Sequence, residues 1–154
     1  MKTHTEEIRK KLNALIEKNK DAEKGFIKAA ENAKAKSLVV WFTNSAIERK
    51  KFNQDLKLEI SSFEQDSNIN GSLTGDIHRT WMELKSLLAA DNDKAMLQEA
   101  IKGEKAALKE YNNIFNEVNL PSTTKTMLTS QWTKIKNNIT ILSTLDNIEF
   151  QEES

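Results

Sequence analysis

Apolar residues in the first part of the chain recur at alternating steps of four and three. Ile8, Leu12, Leu15, Asn19, Ala22, Phe26, Ala29 and Ala33 form one heptad-like stripe, as a helix facing a single core requires. The pattern predicts a first helix over about 5–34. Ser37 can cap a second, over about 37–64, whose stripe is Leu38, Phe42, Ser45, Arg49, Phe52, Leu56, Glu59 or Ile60, and Phe63. The stretch "EQDSNINGSLTG" (64–75) is a turn-rich break, sharpest at Asn70-Gly71. A short helix over about 75–89 then sets Ile77, Trp81, Leu84 and Leu88 on one face. Asp91 can cap the next helix, about 92–118, and Asp93 suits its positive end. That stripe is Leu97, Ala100, Glu104, Ala107, Tyr111, Ile114 and Val118. "NLPSTT" (119–124) is a turn holding the only proline. A last helix over about 124–145 offers Leu128, Gln131 or Trp132, Ile135, Asn138 or Ile139, Leu142 and Leu145. One bundle domain over 1–146 follows, with an acidic tail, 147–154, that is expected to fray.

Four long amphipathic helices with a short turn in each half make two antiparallel pairs. The middle connection decides the topology. Residues 65–91 supply about ten turn residues and a short helix of roughly 20 Å, enough to travel the length of the bundle. The expected architecture is all-α: a ferritin-like four-helix bundle with a long crossover containing a short extra helix.

Composition narrows the chemistry. Lys+Arg and Asp+Glu are both 23, which argues against the basic footprint of a nucleic-acid-binding domain. With no Cys and two His, disulfides, thiolate metal sites, cysteine catalysis and a histidine-rich metal site all fall away. The longest apolar run, "LVVWF" (38–42), is too short to span a bilayer, and the N-terminus lacks the apolar core of a signal peptide. A cytoplasmic protein without membrane or nucleic-acid partners is the expectation.

The stretch "IKGEKAALKEY" (101–111) sets a puzzle inside this pattern. A Gly costs about 1 kcal/mol against Ala in a helix, and an unpaired buried Glu costs far more, yet Gly103 and Glu104 sit in the seam. Each long helix carries such a polar residue near mid-stripe: Asn19, Arg49, Glu104 and Asn138. Counted from turn centres near 36 and 121, Asn19, Glu104 and Asn138 stand about 17 residues off and Arg49 about 13, a difference of roughly 6 Å. Glu23 is level with Arg49, near the edge of the stripe. The pattern predicts a core polar layer of Asn19, Glu23, Arg49, Glu104 and Asn138, in which Arg49 meets Glu104 and Gly103 lets a neighbour approach closely. The bland alternative turns Arg49 and Glu104 outward as solvated charges.

Bundles build di-metal sites in such a layer from two Glu and two Glu-x-x-His motifs. Here "ERKKF" follows Ile47 with no His, "QWTKIKNNI" has neither carboxylate nor His, and an Arg in the layer repels a cation. No cofactor is expected.

Several motifs together carry a resemblance. They are "GFIKAAE" (Gly25, Phe26, Ala29, Ala30, Glu31), "RKKFNQDL" (Arg49, Phe52, Leu56) and "GSLTGDIHRTW" (Gly71, Gly75, His78, Arg79, Trp81). "GEKAALKEY" (Gly103, Glu104, Ala107, Leu108, Tyr111) and "QWTKIK" (Gln131, Ile135, Lys136) complete the series. In this order, over about residues 8–145, the chain resembles an uncharacterised bacterial family of ferritin-like four-helix-bundle proteins. Members of that family often carry a His where this chain has Ile139. The resemblance implies a ferritin-like fold and supplies no reaction.

Outside the layer, His78 with Arg79 and Trp81 is the candidate crossover site, able to bind an anion or a metal with carboxylates such as Asp76. A lone His without a ligand set more often anchors its own segment. "GSLTGD" lacks the P-loop Lys-Ser/Thr pair and its strand, and the three Trp suit core or crossover anchors. The leading expectation is a non-enzymatic bundle acting through self-association or a protein partner, with Val39, Val40, Trp41 and Ile47 as a dimer face. The alternative is a metal- or small-ligand-binding bundle of the oxidative-stress type.

Overall fold

A computed structural model of the chain describes residues 4–63, 93–117 and 119–151. Among these are four helices and no strand: α1 (His4–Asn32), α2 (Lys36–Phe63), α3 (Asp93–Glu117) and α4 (Ser122–Gln151). The expected helix over 75–89, the Asp91 cap and the His78, Arg79, Trp81 group lie outside the described residues.

The helix ends differ from the expected ones for local reasons. α2 begins at Lys36, so Ser37 sits inside its first turn rather than at the cap. The carbonyl of Ala35 accepts from the N–H groups of Leu38 (3.0 Å) and Val39 (3.1 Å). Asp93, at the start of α3, closes this corner. Its carboxylate accepts from the backbone N–H of Ala35 (2.9 Å) and of Lys34 (3.1 and 3.2 Å), donors that a helix–helix turn leaves without ladder partners. α4 starts at Ser122 because the Pro121 carbonyl accepts from Lys125 N–H at 2.9 Å. It runs to Gln151, six residues past the expected end at 145 and into the segment read as a tail.

Contacts between helices fix their directions. Lys34 meets Asp93, Asn19 meets Tyr111 and the His4 ring bonds the Asn119 carbonyl, so α1 and α3 are antiparallel. Thr123 and Thr124 at the start of α4 donate to Glu59 near the end of α2 (3.0 and 2.6 Å), and Asn138 reaches Glu48. α2 and α4 are therefore antiparallel too. Glu59 thereby lies at the positive end of α4, where a carboxylate is favoured. The order is up-down-down-up. α1 packs beside α2 and α3, and α4 beside α3 and α2, with α2 and α3 on a diagonal. Residues 64–92 join the end of α2 to the start of α3, which lie at opposite ends of the bundle.

Two apolar clusters fill the interior. One, near the start of α1, gathers Ile8, Leu12, Leu15, Phe52, Leu56, Ile60, Tyr111, Ile114, Leu128 and Ile135, among others. The other, near its end, gathers Phe26, Ala29, Leu38, Phe42, Met96, Leu97, Ala100 and Leu142, among others. Burying each large side chain contributes about 1.5–3 kcal/mol, so the clusters carry the fold. The buried polar residues Asn19, Arg49, Asn53, Glu104 and Gln131 lie where they meet.

Candidate functional site: a polar layer at mid-bundle

Arg49 and Glu104 meet inside the bundle, each 1% exposed. Arg49 Nη2 donates to Glu104 Oε1 across the α2–α3 diagonal. The guanidinium carbon lies 5.7 Å from the centroid of Phe26 and 5.5 Å from that of Phe52. These ring faces, one from each apolar cluster, favour a desolvated cation. Glu104 Oε2 accepts from Asn138 Nδ2 at 3.3 Å, and the same nitrogen lies 3.0 Å from Glu48 Oε1. Burial pushes the Glu104 carboxyl above its ordinary range, and the Glu48 charge adds to this. The Arg49 charge and the hydrogen bonds from Asn138 and Arg49 act in the opposite direction.

A second, uncharged network adjoins the pair. Asn19 Nδ2 donates to the Tyr111 hydroxyl (3.3 Å), which donates to Gln131 Oε1 (2.5 Å), whose Nε2 donates to the Phe52 carbonyl (3.2 Å). Asn53 Nδ2 donates to the Ile16 carbonyl at 3.1 Å. Burial drives the Tyr111 phenol up to about 12, with the hydrogen bond from Asn19 and the Arg49 charge pulling down and Glu104 pulling up.

The structure thus brings Asn19, Arg49, Glu104 and Asn138 to neighbouring levels but leaves Glu23 out. Glu23 is half-buried in a groove between α1 and α2 with Ile27, Val39, Thr43, Ile47 and Lys50, because its position at the stripe's edge turns it away from α3. Sequence reasoning missed Asn53 and gave Tyr111 no polar role. Asn53 follows Arg49 by four residues and so shares its helix face, a spacing that would have revealed it. Tyr111, the only tyrosine, fits an apolar stripe, and its hydroxyl partner comes from another helix.

Beside Arg49 lies a cavity of about 50 Å³ between α1 and α3, lined by Leu15, Asn19, Ala22, Gly103, Ala107 and Tyr111, among others. Lys18 and Glu110, paired at 3.7 Å, stand at its mouth. Gly103 holds the space open, which accounts for a glycine in the seam. Among the described residues no group of three or more His, Cys, Asp or Glu is placed to hold a metal ion, and no helix is long and apolar enough to cross a membrane.

A family model described as a domain of unknown function, DUF2383, matches residues 7–117. The chain belongs to the DUF2383 family. The matched range takes in α1–α3, and with them Asn19, Arg49, Glu104 and Tyr111, whereas the DUF2383 match stops before α4, which supplies Gln131 and Asn138. No curated protein and no solved structure matches the chain.

Proposed function

We propose that this protein is a non-enzymatic, cytoplasmic bundle of the ferritin-like kind that works by pairing with a second copy of itself. The observation that carries this is the groove on the α1–α2 face. It encloses about 500 Å³ and is lined by Ile27, Ala30, Val39, Ala46 and Ile47, with Glu23, Glu31 and Lys50 around them. Ile27, Val40 and Ile47 are 44%, 59% and 63% exposed, and apolar side chains gathered on one face, rather than scattered singly, mark an interaction surface. Glu23 and Glu31 on α1 and Lys50 on α2 put opposite charges around the groove, which suits a self-complementary interface. The up-down-down-up order of the helices supports the ferritin-like placement. The core polar layer holds a salt bridge where a catalytic bundle would need open ligands, which supports a role without catalysis.

Sedimentation or light scattering of the full chain at micromolar concentration tests this. The expected species is a dimer that Ile47→Asp converts to a folded monomer. A wild-type monomer at high micromolar concentration overturns the proposal.

A further inference from the structure

Arg49 contributes more donors than Glu104 accepts. A guanidinium has five N–H groups and no acceptor, and Arg49 Nε has no hydrogen-bond partner among the described residues although its side chain is 1% exposed. Arg49 also lines the α1–α3 cavity. Such a buried donor is stabilised by any acceptor that reaches it.

We propose that this cavity is a binding site for one small hydrogen-bond acceptor, a water molecule or a monovalent anion of similar size, held by Arg49 Nε–H. Its volume, about 50 Å³, is ample for a water, which needs on the order of 10–15 Å³ of such space. Its lining is mostly apolar, and the buried Arg49 and Asn19 on it bring N–H donors that favour an acceptor over a cation. Asn19 has two amide N–H groups, of which the Tyr111 hydroxyl takes one, and that hydroxyl gives its own proton to Gln131. At the mouth Lys18 adds a positive charge, and the Glu110 carboxylate is engaged with it. Two cationic side chains therefore border the space, each paired with a carboxylate. Gly103 is part of the site because a side chain there would occupy it.

Crystals of the full chain soaked in sodium bromide test the site directly. The expected result is a density peak in the cavity within hydrogen-bond reach of Arg49 Nε. Anomalous signal at that peak identifies the anion, and its absence identifies water. A cavity without density overturns the proposal. Gly103→Ala should keep the helical circular dichroism spectrum and lose the peak; a retained peak overturns the assignment to the Gly103 gap. If Gly103→Ala does not fold, Ala106→Val narrows the same cavity from its exposed side and should likewise lose the peak, with retention again overturning the site.

Discussion

The Arg49–Glu104 pair and the Asn19–Tyr111–Gln131 chain occupy the same stretch of core, yet one carries two formal charges and the other none. In the neutral chain Tyr111 both accepts and donates, and Gln131 passes the sequence on to the Phe52 carbonyl. The charged pair is not closed by its own two members. It recruits Asn138 from α4, the faces of Phe26 and Phe52, and still leaves Arg49 Nε without a partner among the described residues. Charge must be desolvated on both sides before the pair gains anything, so its members depend on each other more than the neutral ones do. The two networks should therefore respond differently to the loss of one partner.

The largest effect should come from splitting the pair. Arg49→Met or Glu104→Leu alone should cost about 3–5 kcal/mol, because each strands a buried charge. The double replacement should cost much less, since a packed apolar pair leaves no ion to desolvate. Urea melts of the three variants form a double-mutant cycle. Single costs within about 0.5 kcal/mol and no coupling would mean that the pair behaves as a solvated one.

Much of this arrangement was legible from spacing alone. The stripes that predict the helices also align Arg49 with Glu104, since a seam position that is both charged and helical needs a partner in the same layer. The antiparallel pairs and the long connection between opposite ends follow from turn lengths. Glu23 and Ser37 were harder to place, because an edge position or a cap depends on rotations and corners of a few ångströms. The Ala35 corner is closed by Asp93, 58 residues away, and no local pattern announces so distant a partner. Tyr111 illustrates the same limit: its ring follows the apolar period, whereas its hydroxyl answers to Gln131 on another helix. Likewise Glu59 and Ile60 compete for one stripe position. Ile60 is buried, and Glu59 instead reaches the α4 terminus.

A smaller loss should follow from opening the neutral chain. Tyr111→Phe keeps the ring in its cluster and removes the hydroxyl, leaving Asn19 Nδ2 without its acceptor and Gln131 Oε1 without its donor. A cost of about 1–3 kcal/mol is expected for buried groups left unsatisfied, again from urea melts. If Tyr111→Phe matched the cost of Arg49→Met, the contrast between charged and neutral contacts would fail.

The smallest effect, and the one most specific to charge, lies in the pH profile. Around the Glu104 carboxyl stand Arg49 and Glu48 from α2, Asn138 from α4 and Tyr111 on its own helix. Its folded-state pKa lies above the ordinary 4.5, so the folded chain binds a proton at pH values where the unfolded chain has released it. That proton stabilises the fold fully below about 4.5, and its contribution is lost as pH rises through the higher folded value. One titrating group changes stability by at most about 1.4 kcal/mol per pH unit. Glu104→Gln removes the group while keeping a side chain of similar shape, and every other carboxylate contributes to both proteins. Stability curves measured from pH 4 upward should therefore converge or separate only across the window where Glu104 titrates, with the wild type losing more stability as pH rises. Parallel curves throughout would show that Glu104 titrates as a solvated carboxylate does, and the charged half of the comparison would lose its physical basis. Above the window the difference should stay constant, because both chains have then released the same protons in the folded and unfolded states.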